Sequence, residues 1–264
     1  MIAQQLFNQK MLIKTAISFF TLAIISACSD SSQTIVQKGK LIDVADVSQN
    51  SYVPMEQSVL VRNDILEKVG KEGFILDKDR VFNAKTVLVV NVSQTPLIIP
   101  NHKNVEVLVD GTVEKFDLAT VKQKYGLTLD SDIYAQYKDQ PAIMASSVTL
   151  SPDPEDVTNN PENYYGKYLA IKGEVEDIKS SGVFELDEQQ AFGGEDLFVI
   201  SLKPEMKLEE EQMVMIYGVL RPFVLVELEK DYDLNWDSPL KKEIEAEYSQ
   251  KSVFIAQEIK ILDE

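Results

Sequence analysis

Residues 168–178, YLAIKGEVEDI, alternate apolar and charged side chains over most of their length. Leu169, Ile171 and Val175 fall on one side of the alternation, and Lys172 and Glu174 on the other. A period of two places successive side chains on opposite faces of a β-strand. The segment therefore predicts a half-buried strand.

Further short apolar runs follow this strand and predict a β-barrel. They lie at residues 184–186, 197–200, 214–220 and 253–262. Glycines inside such runs, at positions 173 and 218, are typical of bulges, bends or a positive φ. Five short strands with a glycine at a bend predict a small closed barrel.

The longer connection before the last strand predicts a helix over residues 238–248. Ser238 is a suitable N-cap, Pro239 suits the first turn, and Leu240, Ile244 and Tyr248 recur at helical spacing. The corresponding connection earlier in the chain carries Ile133 and Tyr137 at the same spacing and predicts a weaker helix.

Residues that recur at offsets of 107 to 111 indicate an internal repeat. The matched pairs include Leu76 with Leu186, Gly111 with Gly218, Phe116 with Phe223, and Tyr137 with Tyr248. Such self-similarity is the sequence signature of repeated units. We predict two copies of one barrel, at residues 57–150 and 161–264, joined by a proline-containing linker at 151–160.

The residues 160–178, NPENYYGKYLAIKGEVEDI, followed by GVFELD at 182–187, resemble the OB-fold. The region 57–262 as a whole resembles tandem-repeat envelope proteins of cyanobacterial type, most clearly in LVELEKDYDLNWD (225–237) and SVFIAQEIKIL (252–262). The resemblance implies a mainly β protein with short helices, built from two small five-stranded OB-like barrels. A standard OB-fold has its helix between strands three and four, whereas the helix predicted here follows strand four.

The amino terminus has the organisation of a lipoprotein signal peptide. Lys10 and Lys14 precede an uncharged stretch, TAISFFTLAIISA (15–27), that is too short to span a bilayer. The stretch ends in Ile-Ser-Ala followed by Cys28, which resembles the bacterial lipobox. We expect residues 1–27 to be removed and Cys28 to carry acyl chains such as palmitate; the alternative is a buried helix with an incidental cysteine.

The charge of the chain limits its partners. Forty-three acidic residues against 26 basic ones give a net charge of −17, which argues against nucleic-acid binding. A body this acidic is repelled by an anionic membrane surface, so residues 28–56 would tether it through the lipid on Cys28. We expect a membrane-anchored protein on the exported side of a bacterial cell envelope.

Few residues have the chemistry expected of a catalytic or metal site. The chain has one Cys and one His, which excludes a disulfide framework and a Cys/His zinc site. His102 has no evident nucleophile beside it, and Gly193-Gly194 is too short for a phosphate loop. The acidic segments 153–156 and 209–211 lack the order of a calcium loop, and we interpret them as a solvated linker and turn. No metal or cofactor is predicted.

One stripe of residues is a candidate recognition face. Met213, Met215 and Tyr217 occupy the predicted outward positions of the fourth strand in the second copy. Exposed methionines and aromatics can form a recognition surface. The alternative is that the helix 238–248 or the neighbouring barrel covers them.

Matched apolar residues define the predicted core. Phe184, Leu186, Ile216 and Trp236 have apolar counterparts in the first copy, namely Phe74, Leu76, Val109 and Leu129. We therefore expect all eight to be buried, Trp236 included.

Two classes of function remain open. The first is a non-catalytic binding or scaffold protein, anchored by lipid, whose barrels hold a protein partner or a small ligand. The alternative is an envelope hydrolase or cation-dependent enzyme that uses carboxylates alone. Two carboxylates with raised pKa that face each other in a pocket would favour the enzyme.

Overall fold

Ten β-strands dominate the part of the chain that the computed structural model describes. That part comprises residue 41 and residues 55–76, 86–96, 98, 105–188 and 195–262. All of these residues belong to one compact unit. The predicted fold class, mainly β with short helices, is confirmed.

The first five strands close into a barrel. They are β1 (Ser58–Val69), β2 (Gly73–Leu76), β3 (Val87–Asn91), β4 (Glu106–Lys115) and β5 (Pro141–Leu150). The strand β1 pairs antiparallel with β2 and β4, and β2 pairs antiparallel with β3. A parallel pairing of β3 with β5 and an antiparallel pairing of β4 with β5 complete the ring.

The next five strands have the same set of pairings. They are β6 (Tyr168–Ser180), β7 (Val183–Asp187), β8 (Leu197–Ser201), β9 (Met213–Pro222) and β10 (Ser252–Ile261). Here β6 pairs with β7 and β9, β7 with β8, and β10 with β8 in parallel and β9 antiparallel. Origin by duplication stays a prediction, but the matched residues Gly111 and Gly218 do occupy corresponding strands.

The glycines in these strands allow two backbones to approach closely. A Cβ on Gly218 would overlap the carbonyl oxygen of Ile255 in β10, and one on Gly173 would lie 2.6 Å from the carbonyl oxygen of Asp187. Neither glycine is among the residues with positive φ. Close approach, rather than a left-handed backbone, is therefore what these positions require.

Helices connect the fourth and fifth strands of each barrel. In the first barrel these are α1 (Leu118–Tyr125) and α2 (Ser131–Tyr134), and a 3₁₀ turn (Ala135–Tyr137) follows. Tyr134 is buried in this connection, whereas Ile133, expected on the buried face, is 40% exposed. The weaker helix of the prediction is therefore a single turn, rotated so that Tyr134 packs inward.

The second barrel has α4 (Leu225–Tyr232) and α5 (Ser238–Tyr248) in this place, as predicted for 238–248. Its N-cap is Asp237 rather than Ser238, because the Asp237 carboxylate accepts a hydrogen bond from the Leu240 amide at 2.9 Å. Ile244 and Tyr248 are fully buried under β8 and β10, and Leu240 is partly buried.

The predicted linker 151–160 is itself structured. Residues Pro154–Asn159 form the short helix α3, and Pro161–Asn163 form a 3₁₀ turn. Val157 on α3 is fully buried in the core of the second barrel. This segment therefore packs as part of the fold, which its low apolar content did not indicate.

The interiors of both barrels are apolar, and most of the predicted core is confirmed. Phe184, Leu186 and Ile216 are at most 1% exposed, and so are Phe74, Leu76 and Val109. Leu129 is 2% exposed, but Trp236 is only partly buried. Within the described residues, no helix has both the length and the apolar character needed to span a membrane.

Candidate functional site

The predicted recognition stripe is not open to solvent. Met215 is fully buried and Tyr217 is 8% exposed. Together with the partly buried Met213, they pack against Leu60 and Leu108 of the first barrel. The expectation of an exposed face is therefore corrected: the neighbouring barrel covers the stripe, which was the alternative, because both barrels turn apolar outer positions toward each other.

A cavity of about 750 Å³ opens at one end of the second barrel; we call it the hairpin cavity. The β6–β7 turn, the end of β8, and the connection between α4 and α5 line it, through residues 181–183, 200–202, 204 and 231–236. Val183 and Ile200 are each 1% exposed and give an apolar floor. Its size is in the range of small-ligand sites.

The β6–β7 turn is held rigidly at the rim of the hairpin cavity. Gly182 has φ +79°, and a Cβ there would lie 3.1 Å from Pro204, so only glycine fits. The Ser181 hydroxyl donates to the carbonyl of Pro204, and the Ser201 amide donates to the carbonyl of Gly182 at 2.7 Å. This rim is therefore fixed in position without a ligand.

The opposite wall comes from the segment 231–236. Arg221 donates to Asp231 at 2.8 Å and to the hydroxyl of Tyr232 at 3.3 Å, and these bonds raise the pKa of Arg221. The side-chain amide of Asn235 donates to the carbonyl of Asp233 at 3.1 Å. Polar groups and an aromatic ring thus converge over an apolar floor, the usual composition of a ligand site.

Trp236 lines this cavity and corrects the core prediction. It packs against the buried cluster under α5, yet it stays partly exposed at the cavity wall. The expectation of a fully buried side chain came from its counterpart Leu129, which is smaller and is buried. An indole replaces leucine where the second barrel keeps an open space beside it.

The first barrel places a tyrosine against the equivalent turn. The Tyr134 hydroxyl donates to the carbonyl of Val69 at 2.6 Å, at the end of β1. A Cβ on Gly70 would lie 3.1 Å from that hydroxyl, and one on Gly73 would lie 2.7 Å from it. The aromatic residue of the β4–β5 connection therefore packs directly onto the β1–β2 turn, whereas the second barrel has a cavity there.

A second polar cluster lies where the first barrel meets α3. Arg62 on β1 donates to the Glu106 carboxylate at 2.6 Å and to Asp153 at 2.5 Å. It also donates to the Ser151 hydroxyl at 2.9 Å and to the Ser151 carbonyl at 2.8 Å. The segment 153–156 is therefore not a merely solvated linker, because Asp153 is tied to a guanidinium.

Burial raises the pKa of Glu106 well above its ordinary value. Arg62 opposes this effect, while Asp153 and Asp64 add to it. Burial together with the carboxylates of Asp156, Asp153 and Glu106 also raises the pKa of Tyr164 to about 12. The cluster is thus a buried carboxyl group held by one guanidinium.

Several predicted features receive a location or none. Residues 209–211 form an exposed turn, as expected. Cys28, His102 and Gly193-Gly194 lie outside the described residues, as do the signal peptide 1–27 and most of the tether 28–56. Among the residues that the structure does describe, no group of three or more His, Cys, Asp or Glu is placed to hold a metal ion.

The sequence offered weak signals for both clusters. The chain has three arginines, at positions 62, 80 and 221, against 23 lysines, so an arginine on a strand marks a planar donor beside carboxylates. The sole tryptophan lies in a polar loop, DLNWD. No protein-family model matches the chain, and no curated protein matches it either.

Proposed function

We propose that this protein is a non-catalytic binding protein of a bacterial cell envelope, anchored by lipid on Cys28, which holds a ligand in the hairpin cavity. The observation that carries the binding role is the cavity itself. It combines a fixed rim, an apolar floor and one partly exposed tryptophan. In OB-folds the first hairpin loop and the connection between strands four and five flank the ligand, and these segments line the cavity here.

The lining of the cavity favours a neutral or cationic ligand with an apolar face. Trp236 and Tyr232 offer ring faces for stacking, and Ser201 and Asn235 offer hydrogen bonds. Asp231 and Asp233 also line the cavity, in a chain of net charge −17. An anionic ligand would be repelled there.

The enzyme alternative rests on Glu106 and Asp153. They lie close together, and the pKa of Glu106 is raised. However, Arg62 bridges both carboxylates, and neither residue lines the hairpin cavity. A guanidinium between two carboxylates occupies the place that a substrate or attacking water would need. This geometry supports a structural role more than catalysis.

The binding role predicts that Trp236→Ala weakens ligand capture at least tenfold. The full lipidated protein, its Trp236→Ala variant and a Val226→Ala control would be used to capture ligand from solubilised envelope. Val226 is 76% exposed on α4 and does not line the cavity, so this control should bind normally.

Trp236 is the only tryptophan in the chain, so its fluorescence reports on the cavity directly. A captured ligand should shift the emission of the wild type when titrated back. Equal capture by Trp236→Ala, or an unshifted emission, would place binding elsewhere. Trp236 is partly exposed, so the variant should lose less stability than the 3–5 kcal/mol typical of a fully buried aromatic.

The anchor predicts that Cys28→Ala abolishes lipidation. Labelled palmitate should enter the wild type and not the variant, and the variant should remain an uncleaved or soluble precursor. Membrane fractionation and the mass of the mature amino terminus measure both effects. Palmitate on the variant, or a mature chain that does not begin at Cys28, would contradict the anchor without affecting the cavity.

A further inference from the structure

A second cavity, of about 570 Å³, lies where the two barrels meet; we call it the junction cavity. The segment after β3, the last five residues of β5 and the start of β6 line it. The cavity is independent of the hairpin cavity, with which it shares no lining residue. Ligand sites occur preferentially at such boundaries between domains.

The cavity arises because β5 outlasts its neighbour. The strand β3 pairs with β5 only from Ala142 to Ala145, and β6 touches β5 only at Leu150. Among the described residues, no strand pairs with this edge of β5 over residues 146–149. The space beside the edge is the cavity.

The walls of the junction cavity are fixed by hydrogen bonds from the turn after β3. The side chain of Asn91 donates to the carbonyl of Thr95 at 2.8 Å and accepts from the Ser93 amide at 3.1 Å. The Val92 amide donates to the carbonyl of Ala145 at 2.9 Å. The cavity is therefore bounded by a turn with satisfied polar groups.

The apolar part of the lining is partly exposed. Ile98 is 83% exposed and Tyr168 is 48% exposed, and both line the cavity together with Pro96, Val148 and Leu150. Large apolar side chains that remain in contact with water at a cavity mark a surface suited to an apolar ligand. An acyl chain would cover these side chains.

The charged part of the lining is one cation. Lys167 is the only charged residue among the described lining residues, in a chain with 43 acidic residues. Its ammonium donates to the carbonyl of Asn163 at 2.5 Å, and none of the ion pairs found among the described residues includes it. An ammonium without a carboxylate partner attracts an anion. Ser146, Ser147 and Thr149 add hydroxyl donors.

We propose that the junction cavity binds a single-chain amphiphilic anion, such as a medium-chain fatty acid. The acyl chain lies along Val148, Leu150 and Tyr168, and the carboxylate is held by Lys167. The charge chemistry is opposite to that of the hairpin cavity, where two aspartates line the wall. A protein with both cavities would bind two classes of ligand.

The test uses the full-length protein in a non-ionic detergent and a photoreactive dodecanoate that carries a diazirine. Peptides that contain residues 146–150 or 167–168 should be labelled, and excess dodecanoate should compete while dodecanol competes at least tenfold less well. Labelling confined to other peptides, or equal competition by dodecanol, would overturn the proposal.

Two variants and one control separate charge from space. Lys167→Gln should reduce labelling at least tenfold, while Lys172→Gln, on the same strand but outside the cavity, should leave it unchanged. Ser147→Trp should block the cavity from an exposed position that tolerates a large side chain. Undiminished labelling of either cavity variant would refute the site.

A vesicle experiment and Trp236→Ala complete the test. The chain should not bind vesicles of anionic phosphatidylglycerol through this cavity, because its net charge is −17. Vesicle binding that depends on Lys167 would mean that the cavity recognises a membrane surface instead. Trp236→Ala should leave the labelling intact, and loss of labelling in that variant would assign the probe to the hairpin cavity.

Discussion

Gly218→Ala is expected to unfold the second barrel. Gly218 lies in β9 opposite Ala256 of β10, and a Cβ there would overlap the Ile255 carbonyl and lie 3.1 Å from the Cα of Ala256. Both contacts are backbone atoms in a buried sheet, so no side chain can rotate away. Separating β9 from β10 breaks the ring, and we expect a loss above about 4 kcal/mol, which is exceptional for one substitution.

Such a loss is a large part of the roughly 5–15 kcal/mol that holds a domain together. Thermal unfolding followed by circular dichroism measures the loss. Hydrogen exchange should show β6–β10 losing protection while β1–β5 retain more of it. Gly126→Ala is the matched control: its Cβ would meet nothing within 4 Å, and its φ of +68° costs an alanine about 1–2 kcal/mol. Equal stability of the Gly218 and Gly126 variants would contradict the close approach.

The same experiment on Gly111 tests the correspondence between the halves. Gly111 lies in β4 opposite Ala145, and its Cβ would lie 2.5 Å from the Met144 carbonyl oxygen. If the two barrels are equivalent, Gly111→Ala should destabilise the first barrel as Gly218→Ala destabilises the second. An unaffected first barrel would weaken the prediction of an internal repeat.

Local patterns explain why much of the fold could be predicted from the sequence. The period-two alternation in β6 and the apolar runs of β7 to β10 follow from how a strand exposes its two faces. Phe184 and Ile216 were assigned to the core because apolar residues recur at their matched positions. Helix α5 was predicted because its spacing and cap are encoded within eleven consecutive residues.

What the sequence could not give depends on contacts between distant residues. Arg62 meets Ser151 and Asp153 across 89 and 91 positions, and no local pattern encodes such a pair. Met215 has the alternation of an outward residue, yet the first barrel covers it. The hairpin cavity exists because Trp236 leaves space beside it, and a vacant volume has no sequence signature.

Arg62→Ala is expected to cost about 2–4 kcal/mol and to loosen the link between the barrels. Removing one partner of a buried ion pair leaves the other uncompensated, which is far more costly than losing the pair's net attraction. The Arg62 side chain is 13% exposed, and its carboxylate partners Glu106 and Asp153 are 22% and 33% exposed. Because α3 carries Val157 into the second core, the variant should unfold in two separate transitions.

The other described arginine provides the control for this substitution. Arg221 pairs with Glu227 and Asp231, whose side chains are 62% and 45% exposed. Exposed ion pairs contribute about 0–1 kcal/mol. Arg221→Ala should therefore change the unfolding free energy much less than Arg62→Ala does, and equal effects would mean that the Arg62 cluster is not effectively buried.

The pH dependence of stability identifies the charge that Arg62 compensates. A carboxyl group whose pKa is raised by folding binds its proton more tightly in the folded chain, so it contributes most stability at low pH and loses it as pH rises toward the raised pKa. Burial raises the pKa of Glu106, and loss of Arg62 removes the influence that opposes this. The cost of Arg62→Ala should therefore grow between about pH 5 and pH 9. Glu106→Gln cannot ionise, so combining it with Arg62→Ala should remove most of that growth, whereas a cost independent of pH in both backgrounds would show that Arg62 acts through packing alone.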